Sequence, residues 1–262
     1  MAFPQLMGVI NVTPDSFSDG GQHQDAEEVL DHVNELILDG ASIIDIGAES
    51  TRPGATPLSY EAEWARLEPV LADIIQQCHE QDVRVSLDSY HPENMKKAVE
   101  AGVDWVNDVS GLRHPAMRDI VVQSECHVVV MHALDVPVVK GQVLPPEVDI
   151  IAFMRDWCRN TTQELNQMGI ATERIILDPG VGFGKSPRQS WALLQHIEEW
   201  RGEARIIIGH SRKSFLTLFT QQITSPRDEL TRCVSASLAA QGVDYLRVHD
   251  IAGHYRMFEA LQ

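Results

Sequence analysis

The chain has 262 residues, 44% hydrophobic and 23% charged, which excludes collagen-like, coiled-coil and disordered proteins and leaves a globular chain of one or two domains. Lys and Arg number 21 against 38 Asp and Glu, and a net charge of −17 excludes a general nucleic-acid binder, which needs a basic face. Four scattered cysteines (Cys78, Cys126, Cys158, Cys233) without a CxxC pair argue against a disulfide framework and a zinc ribbon, and no apolar run approaches the roughly 18 residues of a membrane span. The opening MAFPQLMGVINV lacks a basic n-region and a signal h-region, so a soluble, cytoplasmic chain is expected.

In chain order, a first strand LMGVINV (6–12) runs into a polar, Gly/Pro-rich loop, NVTPDSFSDGG (11–21). The helix predicted over 25–40 puts Val29, Val33, Leu36 and Ile37 on one face, with Gly40 as its stop signal. Strand two, SIIDIGA (42–48), meets the loop ESTRPGATPLS (49–59) and then one helix over 60–81. Strand VRVSLDS (83–89) precedes a helix over 92–102, and strand DWVNDVS (104–110) a helix over 115–124. After HVVVMHA (127–133) comes a long Pro/Val-rich loop, ALDVPVVKGQVLPPE (133–147), then a helix over 147–168. RIILDPG (174–180) leads to a helix over 187–201, RIIIGHS (205–211) to helices over 213–221 and 227–242, and DYLRVHD (244–250) to a last helix over 253–261.

Nearly continuous apolar strands alternating with amphipathic helices imply a parallel sheet covered on both faces. Eight such units predict a closed (β/α)8 TIM barrel forming a single domain over 1–262, with an open doubly wound sheet as the alternative.

In a barrel of this kind, functional groups come from the C-terminal strand ends. Those ends read Asn11; Asp45 with Glu49, Thr51 and Arg52 beyond it; Asp88; Asn107 and Asp108; Met131 and His132; Asp178; Ser211, Arg212 and Lys213; and Arg247 with His249. Any one could cap a turn, but all eight strands ending this way points to a site. Asp88, Asn107, Asp178 and Lys213 can together hydrogen-bond the edge of a flat heterocycle. Thr51, Arg52, Arg247 and His249 form an anion-binding set in an acidic protein, and arginine suits phosphate through its planar fork. Asn11 offers a hard oxygen of the kind Mg²⁺ takes alongside waters and phosphate oxygens. The expected substrate has a ring at one end and a di- or triphosphate at the other. GHSRKSF (209–215) is expected to open a helix whose N-terminus attracts an anion near Ser214.

Other matches fail. DPGVGFGKS (178–186) has proline where a P-loop has its first glycine and one residue too few between Gly180 and Gly184. The histidines contain no HExxH, and the Asn160-Thr161-Thr162 sequon means nothing in a cytosolic chain.

GVINVTPDSFSDGG (8–21), GASIIDIGAESTRPGA (40–55), VSLDS (85–89), VNDVSG (106–111), VVMH (129–132), ILDPGVGFGK (176–185), SRKSF (211–215) and RVHD (247–250) resemble, almost end to end, the dihydropteroate synthase family of folate biosynthesis. The resemblance implies the (β/α)8 fold, a homodimer, and transfer of 7,8-dihydropterin-6-ylmethyl diphosphate to 4-aminobenzoate with release of diphosphate. It makes Asn11 the Mg²⁺ ligand and puts Thr51, Arg52, Arg247 and His249 on the diphosphate. Asp88, Asn107, Asp178 and Lys213 then line the pterin pocket, with Met131 near the ring and Arg247 stacked on it. Phe183, Lys213 and Ser214 would receive the aminobenzoate. Asp88, Asp178, Lys213, Arg247 and His249 are the expected catalytic set, acting by electrostatics on a dissociative displacement. Loops 12–21 and 51–58 are expected to close over the diphosphate, gripped by Thr51 and Arg52, before aminobenzoate binds, and so to build the wall of the aminobenzoate pocket through Phe17 and Pro53.

The sequence also departs from the family. DSYH (88–91) stands for the usual DTSK, and ALDVP (133–137) for the Gln-Gly after the MH of strand five. The N-terminal hairpin that usually plugs the barrel bottom does not precede strand one, so another feature must close that end. A corrinoid-methyltransferase-type pterin barrel would share the carboxylate–amide pocket but has no need of TRPG and SRKSF. A barrel kept only as an interaction module would be favoured by loss of a carried-over polar residue, and none is lost.

Overall fold

The computed structural model describes residues 3–12, 22–49, 56–220 and 227–262, without the side chains of 22–25. Eight parallel strands close into one barrel in sequence order: β1 (Gln5–Asn11), β2 (Ile43–Gly47), β3 (Arg84–Asp88), β4 (Trp105–Asp108), β5 (His127–Met131), β6 (Ile175–Asp178), β7 (Arg205–Ile208) and β8 (Tyr245–Val248), which pairs back onto β1. All eight strands fall where the apolar runs predict them, and the closed barrel replaces the open-sheet alternative. The barrel is closed because β8 pairs with β1 through Gln5↔Tyr245 to Gly8↔Val248.

Helices α1 (Gln22–Leu38), α2 (Tyr60–Leu67), α3 (Leu71–His79), α4 (Pro92–Ala101), α5 (Pro115–Gln123), α6 (Ile150–Gln167), α7 (Pro187–Gln195), α8 (Ile197–Trp200), α9 (Arg227–Ala240) and α10 (Ile251–Ala260) follow their strands. Three expectations need correction. The helix predicted over 60–81 is two, α2 and α3, because Pro69 has no N–H to donate and its ring would clash with a carbonyl one turn back. The one predicted over 187–201 breaks at His196, whose backbone leaves the helical region, and Trp200 Nε1 ties α8 back to the Leu193 carbonyl at 2.8 Å. The stretch after β7 forms only a short 3-10 turn, Ser214–Leu218, where a helix over 213–221 was expected.

Strand parity builds the interior. Outward residues such as Ile44, Ile46, Val85, Leu87, Val128 and Val130 pack against the helices in the main apolar core. Inward, Met7, Ile43, Trp105, Val129, Ile176, Ile207 and Tyr245 form a separate cluster, one residue from each strand but β3, which contributes the buried Ser86. This is the layered filling expected of a packed barrel rather than a pore.

Trp105 accounts for the closed bottom. Its ring is fully buried, stacks on His127 at 5.3 Å, meets Tyr245 edge-on at 5.0 Å and carries the Arg84 guanidinium 5.5 Å from its centroid. Arg84 bonds Gln5, and Arg205 Nη1 donates to Tyr245 Oη at 2.9 Å. A large aromatic with cations and polar groups around it plugs the end opposite the site.

Candidate active site

Above that apolar layer the inward positions turn polar. In β2 the alternation Ile43, Asp45, Gly47 carries the interior face upward, and Asp45 is completely buried. Arg247 of β8 donates through Nε to Asp45 Oδ2 at 2.6 Å and through Nη2 to Asp88 Oδ2 at 2.8 Å. Asn107 Nδ2 donates to both Asp45 oxygens at 3.2 Å. One carboxylate thus anchors the two donors that come from β4 and β8. The register row Asn11↔Gly47, Gly47↔Asp88, Asp88↔Asn107 sets these strand ends at one level.

Asp178 ends β6, with Oδ1 accepting from the Gly180 amide at 2.7 Å. Gly209 stands opposite, where a Cβ would lie 3.5 Å from Asp178 Oδ2, so the absence of a side chain leaves the mouth open at that carboxylate. Lys213 Nζ lies 4.3 Å from the Phe183 ring centroid, within cation–π range. Phe183 packs with Val109, Met131 and Ala133, and Tyr90, Val136 and Val138 lie against that group. His249 Nδ1 sits 2.9 Å from Ser211 Oγ.

The electrostatics follow from burial. Desolvation pushes the Asp88 carboxyl up to about 7, against the pull of Arg247 and with the like charge of Asp45 adding to the rise. Asp178 is also raised by burial, opposed by the Gly180 N–H and then by Lys213 and Arg247. Burial alone would lower Arg247, but Asp45 and Asp88 outweigh it, and its pKa is raised. The guanidinium therefore stays charged, while the Asp88 and Asp178 carboxyls hold a proton more readily than exposed ones do. Such an array can hold an N–H-rich heterocycle edge and an adjacent negative group.

Asp88, Asn107, Met131, Asp178, Phe183, Lys213 and Arg247 all take places at or around this mouth. Arg247 was expected to grip diphosphate and stack on the ring; its guanidinium is braced between Asp45 and Asp88, so its position is set from below. Ser214 is exposed and opens a five-residue 3-10 turn where a helix was expected. Asn11 is exposed at the end of β1. Thr51, Arg52, Phe17 and Pro53 lie outside the described residues, and with them the expected loop closure.

The DSYH departure forms its own knot. Glu49 accepts from the Leu58 amide at 3.2 Å and from Tyr90 Oη, and lies 3.3 Å from His91 Nε2. Glu63 accepts from Ser89 Oγ at 2.8 Å and Asn94 Nδ2 at 2.6 Å. Glu49, Glu63 and His91 hold ligand-capable atoms within 4.8 Å of one another, all in hydrogen-bond contact within this knot, and Glu49 also ties back to Leu58, which lies beyond Thr51 and Arg52 in sequence. The ALDVP departure is held by Arg113, which donates to the carbonyls of Ala133 and Leu134.

Sequence reading named Asp45 among the strand-end groups without giving it a contact, and gave no role to Lys185. Period-two alternation in β2 could have found Asp45, since it shares the inward face with Ile43 and Gly47. Nothing local marks Lys185 as buried.

Residues 7–249 match the family described as pterin binding enzyme. The chain is 38% identical to the dihydropteroate synthase of Neisseria meningitidis serogroup B over 98% of its own length and 93% of that protein. It is 37% identical, over 98% of its length, to the folate synthesis bifunctional protein of Chlamydia trachomatis, of which it spans only 58%. The crystal structure of dihydropteroate synthase from Anaplasma phagocytophilum with bound 6-hydroxymethylpterin-monophosphate superposes with a TM-score of 0.88 at 34% identity, covering 99% of this chain and 98% of that one. With a polar barrel mouth and these relatives along nearly its whole length, the chain belongs to the dihydropteroate synthase family of pterin-binding enzymes.

Proposed function

We propose that this chain joins 7,8-dihydropterin-6-ylmethyl diphosphate to 4-aminobenzoate and releases diphosphate, as a transferase of folate biosynthesis. The observation that carries the reading is the array in which Asp45 anchors Arg247 and Asn107 beside Asp88, with Asp178 facing the same mouth. The carboxylates and the amide complement the donor–acceptor edge of a pterin.

The reaction breaks the methylene C–O bond, whose electron pair leaves with diphosphate. The amine nitrogen of 4-aminobenzoate forms the new C–N bond and gives up a proton. The electron-rich ring delocalises positive charge at the methylene, so a dissociative path needs no covalent nucleophile. Asp88 and Asp178 favour the cationic pterin, while Arg247, His249 and, by resemblance, Thr51 and Arg52 balance the departing charge. Lys213 over Phe183, with Ser214 adjacent in sequence, supports an acceptor site for a flat aromatic carboxylate.

The donor set at β1 fits Mg²⁺: a single amide oxygen, on Asn11, exposed at the strand end, suits an ion that keeps waters and phosphate oxygens as its other ligands. When bound, the ion would neutralise charge on the diphosphate. A homodimer follows from the resemblance. A cytoplasmic setting is supported by four free cysteines, three of them buried, and among the described residues no helix is long and apolar enough to cross a membrane.

The test is diphosphate release on mixing the protein with both substrates and Mg²⁺. Release that requires 4-aminobenzoate supports the reading; no release with both substrates present overturns it.

A further inference from the structure

Lys185 is 3% exposed, and among the described residues its hydrogen-bond partners are a ring nitrogen and carbonyls rather than a carboxylate. Its Nζ lies 2.8 Å from His132 Nδ1 and donates to three carbonyls, those of His132 at 3.1 Å, Gly180 at 3.2 Å and Phe183 at 3.1 Å. Burial pulls its pKa down to about 7, against the charge of Asp178, and the three N–H groups of the ammonium form meet only acceptors. His132 supplies a neutral ring nitrogen: burial, and then the charge of Lys185, pull its pKa down to about 3. Phe153 and Trp157 hold that ring edge-on at 5.2 and 5.4 Å.

The partners of Lys185 come from two places. His132 directly follows β5, while Gly180 and Phe183 belong to the loop after β6. Gly180 has φ +65°, and a Cβ there would stand 2.0 Å from the His132 carbonyl oxygen, so the loop runs against the end of β5. Within the loop, the Phe183 amide bonds the Gly180 carbonyl at 3.0 Å. Beyond Phe183, Gly184 takes φ +71° with the Leu134 side chain in the space a Cβ would occupy. Asp178 is placed differently. Its backbone sits on β6 in register with Met131, and its carbonyl accepts from the His132 amide at 2.9 Å, so the strand ladder holds it and the loop touches it only through the Gly180 amide on Oδ1.

We propose that Lys185 is a positioning residue for the acceptor half of the reaction, pinning the Gly180–Gly184 loop to β5 so that Phe183 forms the wall of the aromatic-amine pocket beneath Lys213. The inference rests on the activity given above. It makes the buried lysine a determinant of how a flat aromatic carboxylate binds, and leaves the pterin to the strand-borne groups. Loss of the pin frees the carbonyls of Gly180 and Phe183 to turn toward water, and Phe183 turns with them.

The test compares wild type with Lys185→Met, which keeps the stem and removes the donors, and Lys185→Arg, which keeps the charge but cannot meet the same four acceptors. Steady-state diphosphate release gives KM for each substrate. For Lys185→Met the KM for 4-aminobenzoate rises at least tenfold, while that for the pterin diphosphate changes less than threefold. Lys185→Arg gives a smaller rise on the same side. Equal changes in both KM values, or none, with the fold intact by circular dichroism, overturn the proposal. Should Lys185→Met fail to fold, His132→Phe, which removes only the ring nitrogen contact, takes its place. It is expected to raise the KM for 4-aminobenzoate at least threefold with that for the pterin diphosphate unchanged, and an unchanged or even-handed result overturns the proposal. Wild-type protein that releases no diphosphate defeats the activity itself, an outcome distinct from active wild type with indifferent variants.

Discussion

Arg247 and Asp45, 202 positions apart in sequence, meet at 2.6 Å inside the barrel mouth, with Asp45 fully enclosed and the arginine a quarter exposed. The pair links β8 to β2 across the strand between them, and Asp45 carries Asn107 as well. Removing one partner of a buried pair leaves the other charge uncompensated, which costs more than the pair contributes over an apolar substitute.

Asp45→Ala should therefore cost about 3 kcal/mol of stability, the low end for such a break, because Arg247 keeps Asp88. Pterin binding should weaken at least about tenfold, since both donors lose their anchor. Denaturant melts and calorimetric titration of a free pterin check the two effects. Full pterin affinity in a folded variant would place the ring elsewhere.

Asp178→Asn removes an acceptor that is almost fully buried at the mouth. Unpaired ring N–H groups should cost roughly 1–3 kcal/mol of pterin binding, so affinity should fall by about five- to a hundredfold. Calorimetry with a pterin lacking diphosphate isolates this term, and an unchanged dissociation constant would contradict the pocket.

A third prediction concerns acid stability. His210 is completely buried, 2.8 Å from Ser235 Oγ, which in turn lies 2.8 Å from His254 Nε2. Burial, then the neighbouring His254, pull the His210 pKa down from 6.5 to about 4. As pH falls below 6.5 the unfolded chain protonates this ring while the folded chain does not, so the contribution is complete above pH 6.5 and declines toward pH 4. The loss is about 1.4 kcal/mol per pH unit over that window. The stability advantage of wild type over His210→Gln should accordingly shrink by about 2 kcal/mol between pH 6.5 and 5. Comparing the two proteins cancels the opposite contribution of raised carboxyls such as Asp88. Urea melts at both pH values measure it, and a constant difference would refute it.

The metal assignment is separable from the pocket. EDTA should abolish diphosphate release while leaving binding of a pterin without diphosphate intact, and Asn11→Ala should raise the Mg²⁺ concentration needed for half-maximal turnover. Full turnover in chelator would remove Mg²⁺ from the reaction.

By itself the sequence determined the eight strands, their alternation with helices and the polar residues at their ends, because each depends on patterns within about ten neighbouring positions. Apolar β-branched runs bury strands on both faces, and Asp88, Asn107, Asp178 and Arg247 could be read directly from where those runs stop. Pro69 was equally visible, but the continuous amphipathic pattern around it suggested one helix where there are two. Only the tertiary structure decided what those strand ends touch. Closure of β8 onto β1 puts Asp45 against Arg247, β5 beside β6 puts His132 against Lys185, and the inward face of β4 turns Trp105 into the floor. Partners 50 to 200 residues apart leave no periodicity in the chain. Their contacts arise from strand register and from the exclusion of water inside the closed barrel, which turns Asp45 and Lys185 from ordinary charged residues into fixed parts of the site.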